Sequence, residues 1–321
     1  MIKSLKLVVI FLMFSFETLS QGCSDAGFCT MGAMRPNQIY SKKINLKLKE
    51  LELNFYRGKS TLSPIIYATT VDFTFGINDK TSFQFKLPYQ WVTGNLGDTQ
   101  GLGDISLSFT RNVYSTDGFH INATLGGKIP TGNSSVSEGA DEEFVSIQGE
   151  ADLPMYYQPS LGSWDIVAGA AFISRKWMLA TGIQIPLTAN ENDFRYVEWE
   201  DYPSENYLMD HPLATDLLRG IDLMFRVERT FIFYNKVDLR IGLLPIYRIT
   251  RDERTNLETG ERELVDGTRG LALTGIGSLA YHFNTTHTIR TLYGMKILVR
   301  DVNPDGLTRD SIFSLAYVIR F

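Results

Sequence analysis

Along most of the chain, apolar side chains recur at every second position. Ile65, Tyr67, Val71, Phe73, Phe75 and Ile77 share one face of an extended segment, opposite Ala68, Thr70, Asp72 and Thr74. A period of two sets one stripe against an apolar medium and the other against water or polar groups. After Asn78-Asp79-Lys80 the stripe resumes with Phe83, Phe85, Leu87, Tyr89 and Trp91, opposite Ser82, Gln84, Lys86 and Gln90, which predicts a hairpin. The pattern returns at 105–109 and 119–129, where His120, Asn122, Thr124 and Lys128 form the polar face, and at 164–174, 177–187, 217–233 and 237–243. It ends with 271–283, 288–299 and a closing strand from Ser311. The first segment, 44–56, slips phase at Lys49-Glu50, as a β-bulge makes a strand slip.

These segments predict an all-β fold, a single antiparallel transmembrane β-barrel of about 12 strands spanning 44–321. Turns after 77, 114, 174, 233 and 283 read as tight, and connections near 57, 92, 130, 188, 250 and 300 as longer, matching short periplasmic turns and long outer loops. A soluble sandwich would need shorter strands, averaging about five or six residues, with no charged residues on its inner stripe. Aromatic residues at strand ends, such as Tyr89, Trp91, Trp177, Phe231, Phe233 and Tyr317, suit interfacial girdles.

The two ends refine this picture. Lys3 and Lys6, the apolar run Leu7 to Phe16 and small residues up to Ser20 read as a signal peptide over 1–20, too short to span a bilayer as a helix. Residues 21–43 then form an N-terminal periplasmic segment. Phe313, Leu315, Tyr317, Ile319 and Phe321 alternate to the last residue, an ending that resembles the assembly signal read by the barrel assembly machinery. The expected location is the bacterial outer membrane, with outer-membrane lipid and lipopolysaccharide as surroundings.

Charge changes the picture in one respect. The formal net charge is −5 and falls to about −6 without the leader's Lys3, Lys6 and Glu17, so no basic nucleic-acid surface is expected. The alternation instead directs ionisable groups inward: Lys86, His120, Lys128, Asp222, Lys236, Asp238, Arg240, Arg290 and Lys296 are candidates to line the lumen, with Asp72 and Arg320 in the same phase. Fixed positive charge would favour anions in a pore; the alternative is that these groups pair as salt bridges filling a narrow barrel.

Other chemistry is weaker. Acidic residues cluster in the loops at Glu138–Asp152 and Glu191–Asp210, as solvated loops or oxygen ligands for divalent cations, but without the spacing of a calcium loop, so no metal site is assigned. Cys23 and Cys29 suggest a disulfide in an oxidising compartment; with Met31 and Met34 they are also a candidate soft site for a cuprous ion. A cysteine so close to the leader also raises lipidation, against which stands the absence of leucine three places upstream. His120 lacks the serine partner of a surface phospholipase, and Asp210-His211 is the nearest approach to a protease pair, in which adjacent residues of a strand would point apart. No catalytic residue and no cofactor is assigned.

Gly101-Leu102-Gly103-Asp104-Ile105-Ser106-Leu107, Gly126-Gly127-Lys128-Ile129-Pro130-Thr131-Gly132-Asn133 and Gly162-Ser163-Trp164-Asp165 resemble motifs of the outer-membrane family named for the meta-cleavage pathway of phenol degradation. The resemblance covers residues 65 to 321, and departs from the family in Cys23–Met34 and in the acidic loop after Asn190. It implies a barrel of twelve or so strands that admits small, often aromatic or hydrophobic, compounds. The reading is therefore an outer-membrane channel for small solutes, aromatic or anionic in expectation. A structural or adhesive barrel with a plugged lumen, and a surface enzyme on a barrel scaffold, are the alternatives.

Overall fold

The computed structural model describes residues 31–34, 47–137, 151–199, 202–234 and 236–321. The strands are β1 (Lys47–Ser60), β2 (Ile65–Gly76), β3 (Thr81–Gly94), β4 (Gly97–Leu102), β5 (Ile105–Ser115), β6 (Phe119–Ile129), β7 (Asp165–Ser174), β8 (Trp177–Pro186), β9 (Asp222–Phe233), β10 (Val237–Arg248), β11 (Asp252–Thr255), β12 (Arg262–Val265), β13 (Gly270–His282), β14 (His287–Leu298) and β15 (Arg309–Arg320). Each wall strand pairs antiparallel with its neighbours, β1 joins β15, and the β2–β3 ladder closes the ring. Closure matters in lipid, where an open edge would leave backbone groups unpaired.

β4 and β5 act as one stave interrupted at Gly103-Asp104, which makes the barrel twelve-stranded. β4 pairs with the upper half of β3, through Tyr89↔Leu102, and β5 with its lower half, through Lys86↔Ser106. Opposite the break stands Pro88, which has no N–H to give to a ladder; its carbonyl instead accepts from Gly103 N–H at 2.9 Å. The alternation around 101–104 is lost for this reason.

The sequence bulge is present, with a register shift in β1 between Leu48 and Glu50. Outward positions are apolar and exposed, among them Phe55, Phe109, Leu125, Leu179, Phe225, Ile241, Leu279 and Phe313. This band faces acyl chains, and strands of 10 to 14 residues have the length needed to cross the hydrocarbon core. The short turns, and residues 47 and 321, lie at one end, which by the usual asymmetry is periplasmic.

Four elements differ from the sequence reading. The β1–β2 connection is tight, closed by Ser60 N–H to Pro64 at 2.9 Å, and β3 turns directly into β4 at Gly94↔Gly97, so two expected long loops are short. Residues 217–221 leave the strand pattern because Arg219 is drawn to Asp165, and β9 begins at Asp222. The 249–269 loop carries the hairpin β11–β12, whose charged sequence gives no apolar alternation; Arg254 to Glu263 at 2.8 Å braces it.

Candidate functional site

The lumen carries the ionisable side chains, in layers set by each strand's inward phase, even-numbered on β6 and odd-numbered on β7. At the periplasmic end, the Arg290 guanidinium donates to Glu52 at 2.5 Å, Arg320 to Glu50 at 3.2 Å, and His282 Nε2 lies 3.1 Å from Asp238. Arg240 lies 3.9 Å from Asp238, and Arg226 donates to Glu228 at 2.6 Å. Asp238, His282, Arg290 and Arg320 keep partial exposure and form a polar vestibule.

Higher up, a belt of buried charge runs along β6, β7, β9 and β10 and the loops beside them. Gly103 turns the chain so that Asp104 meets Lys128 at 2.8 Å, and Asp104 also accepts from Ser160 and from Leu161 N–H. Lys128 lies 3.4 Å from Asp165, which accepts from Arg219 at 2.6 Å and from Gln184. Arg248 donates to Asp222 at 2.7 Å, Asp252 at 2.9 Å and Asp305 at 2.9 Å, and Arg300 lies 3.3 Å from Asp222. Burial alone would raise the Asp305 carboxyl, yet Arg248, Arg300 and Arg219 hold it well below the usual carboxylate range.

Above the belt, the described loop residues 151–164, 187–199 and 202–221 fold over the outer mouth. Tyr156, Tyr157, Phe194, Trp199 and Leu208 pack on Tyr56, Ile66, Val92 and Ile312 from the upper inner wall. His211 is fully buried there among Tyr156, Tyr157, Phe194 and Tyr207, its Nδ1 2.9 Å from the Tyr207 carbonyl. Burial lowers this imidazole to about 4, against the opposing pull of the Tyr207 carbonyl and Asp210.

In mid-lumen, residues 31–34 enter as a short 3-10 turn, Gly32–Met34, against β5–β8. Gly32 N–H donates to Gln84 Oε1 and Ala33 N–H to Thr124 Oγ1, both at 2.7 Å. Met31 and Met34 join Val167, Met224, Leu244 and Ile276 in an apolar cluster.

The structure thus distributes the sequence candidates. Lys86 and His120 are buried on the inner wall, Lys86 in register with Asp72. Lys128 and Asp222 stand in the belt; Asp238 and Arg240 line the vestibule with Arg290; and Lys296 reaches Asp310 at 3.2 Å. Lys236 is different: it falls in the exposed turn between β9 and β10, off the inner wall. Phe313, Leu315 and Tyr317 face outward on β15, and Ile319 and Phe321 follow at its end. Cys23 and Cys29 lie outside the described residues, as do Glu138 to Glu150 of the first acidic loop. Among the described residues no group of three His, Cys, Asp or Glu is placed to hold a metal. His211 turns to the Tyr207 carbonyl, within an aromatic cage, and the described contacts show no pairing of its ring with the Asp210 carboxylate.

Sequence reasoning passed over Arg226, Glu228, Arg248, Asp165 and Asp305. Four of these were within reach, because Arg248 shares the phase of Asp238 and Arg240, Arg226 and Glu228 that of Asp222, and Asp165 opens its strand. Residues 31–34 were assigned to a periplasmic segment, and the four described residues stand inside the barrel. The available signal was the inner face of β7 beyond Asp165, where Val167, Gly169, Ala171 and Ile173 carry no polar group and so require an apolar cover.

No protein-family model matches the chain, and no curated protein does. Among solved structures, an outer membrane channel from Pseudomonas putida F1 superposes with a TM-score of 0.58 at 15% identity, over 89% of this chain and 100% of that one. The CymD monoaromatic hydrocarbon channel gives 0.41 at 10% identity, over 96% and 95%. The KdgM porin in complex with disordered oligogalacturonate gives 0.43 at 5% identity, over 85% and 99%. The chain therefore has the fold of an outer-membrane β-barrel.

Proposed function

We propose that this protein is an outer-membrane channel through which small solutes cross, working by passive passage and without catalysis. The observation that carries the reading is the polar inner wall. Arg290–Glu52, Arg320–Glu50 and Asp238–His282 keep partial exposure at the periplasmic end. A barrel meant only as a structural post gains nothing from such groups, since apolar residues of similar volume fill a core at equal or lower free energy. Membership of the phenol-degradation family, and with it aromatic solutes, agrees with the Gly-rich motifs at 101–107, 126–133 and 162–165. Gly103 and Asp104 have a definite task here, breaking a stave to seat Lys128. An anionic preference has less support, because Lys128, Arg290, Arg320 and Lys296 each have a carboxylate within 3.2 Å.

The plugged-lumen alternative has its own support in the cap of residues 151–164, 187–199 and 202–221 and in the 31–34 insert. Proteoliposomes separate the two. The purified protein, in full and with 31–34 deleted, would be assayed for entry of aromatic acids, neutral aromatics and sugars. Entry of one class above protein-free liposomes is the expected result; no entry of any class with either form would leave only the structural post.

A further inference from the structure

The lipid-facing stripe of β9 is interrupted by a charge. Phe225, Val227, Phe231 and Phe233 are exposed on the outer face, and Arg229 occupies the same phase between them. Its ladder partner on β8 is Trp177, the first residue of that strand after the tight turn at Arg175-Lys176, so Arg229 stands near the periplasmic end of the wall. Phe231 and Phe233 continue the stripe below it, which places the guanidinium within the edge of the leaflet rather than in bulk water. A cation there needs compensation, because arginine on the lipid face of a barrel is destabilising to a degree set by its depth.

Part of the compensation comes from rings. The guanidinium carbon lies 4.7 Å from the Trp177 ring centroid and 5.9 Å from that of Phe231, within reach of cation–π attraction. The turn fixes Trp177: its N–H donates to Ser174 Oγ at 3.0 Å, and Ser174 Oγ donates to the Trp177 carbonyl at 3.2 Å. Thr230 N–H donates to the Lys176 carbonyl at 2.8 Å, which ties the basic turn beside Arg229. Rings attract the cation, but they leave the in-plane N–H donors of a guanidinium without strong acceptors. Glu228, next in sequence, is on the inner face and takes Arg226 at 2.6 Å. Among the described residues no carboxylate pairs with Arg229, Arg175 or Lys176. The counter-charge for this outward patch must come from the membrane.

The chemistry narrows the anion. A guanidinium fork matches phosphate oxygens bidentately, and a patch of three cations favours a headgroup of net negative charge over a zwitterion. Above Arg229, the exposed side chains of Val227, Phe225 and Leu179 offer an apolar strip for acyl chains. This end of the barrel carries the short turns and residues 47 and 321, so it meets the periplasmic leaflet, which is built of glycerophospholipids. We propose that Arg229, framed by Trp177 and Phe231 and flanked by Arg175 and Lys176, binds the phosphodiester of an anionic glycerophospholipid in that leaflet. The rings hold the guanidinium while its donor edge meets the phosphate, and the two turn cations add charge. The site lies on the outer wall and stands independently of the channel reading.

Native mass spectrometry of the full-length protein in detergent tests it, with equal amounts of phosphatidylglycerol, phosphatidylethanolamine and lipid A added. The parent should retain phosphatidylglycerol in preference to the other two. Arg229→Gln should lower that retained fraction at least several-fold and leave phosphatidylethanolamine unchanged, and Arg229→Lys, which keeps the charge and loses the fork, should recover only part of it. If Arg229→Gln fails to fold, judged by heat-dependent gel mobility, Trp177→Leu, which removes the larger ring of the frame, is read in its place. Equal retention of phosphatidylglycerol by parent and variant overturns the site. Stronger retention of lipid A, or displacement of phosphatidylglycerol by added inorganic phosphate, assigns the cations to another anion and overturns the lipid proposal.

Discussion

Lys128 lies between Asp104 and Asp165, and all three side chains are almost wholly buried. Removing one partner of a buried pair leaves charge uncompensated, at a cost of about 3–5 kcal/mol. Asp165 retains Arg219, so Lys128→Met belongs at the lower end, about 3 kcal/mol. Thermal unfolding in detergent, followed by gel mobility, should show a clear fall in midpoint, whereas Arg251→Ala, which loses only an exposed partner in Asp266, should move it by less than ~0.5 kcal/mol equivalent. His211 gives a pH signature. Its folded value, about 4, lies below the ordinary 6.5, so the neutral ring contributes fully above pH 6.5 and loses its contribution as pH falls towards 4, because the opened loop takes the proton first. The loss reaches up to about 3 kcal/mol. Trp199 is buried in the same cap, whereas Trp91, Trp164 and Trp177 are exposed, so tryptophan emission should shift red between pH 6.5 and 4. His211→Phe should remove that shift, and a flat profile in the parent would show that the cap does not depend on this ring.

At the level of single strands, the two faces of β6 make opposite demands. Leu125 is 61% exposed midway along the strand, while Asn122 is on the inner face and bonds Asn112 at 2.9 Å. Leu125→Arg puts a charge against acyl chains, at roughly 2–4 kcal/mol near the bilayer midplane; Asn122→Arg points into the lumen and should cost much less. Urea-induced unfolding in lipid vesicles measures both, and equal costs would mean the faces are misassigned. This two-sidedness is why so much of the barrel was legible in the sequence: in β2, Ile65 to Phe75 against Ala68, Thr70 and Asp72 is a local pattern, and so is the bulge near Lys49. Elements failed to show where something non-local set them. The connection near 92 reads as a long loop until β4 folds back on β3 at Gly94↔Gly97, and Leu217–Ile221 reads as strand until Arg219 is drawn to Asp165. The lumen candidates had the same limit. Phase placed Lys128, Arg240 and Arg290 on one stripe, but their carboxylates come from distant segments, Glu52 lying 238 residues from Arg290. Met34 meets Gly169 and Gly182 across a separation that no local pattern encodes.

For the whole molecule, what passes through depends on the sum of the inner charges. A ring of unopposed lysine and arginine would select anions, but along the described wall Arg290 faces Glu52, Arg320 faces Glu50, and the four cations Lys128, Arg219, Arg248 and Arg300 share Asp104, Asp165, Asp222, Asp252 and Asp305. Fields from paired charges cancel within a few ångströms, well inside a Debye length of about 10 Å at 0.1 M salt, so an ion in the bore meets little net potential. A channel freed of residues 31–34 should therefore show a reversal potential near zero in a potassium chloride gradient. The vestibule pairs differ from the belt in being reachable by that ion: Arg290 is 13% exposed and Lys128 only 2%. Arg290→Glu places two carboxylates together at the periplasmic entrance and should shift selectivity towards cations, whereas Lys128→Glu, enclosed beneath the cap, should change stability more than selectivity. Strong anion selectivity in the 31–34 deletion would mean that the inner cations act unpaired in the open bore, and that the ion pairs described for the wall are rearranged there.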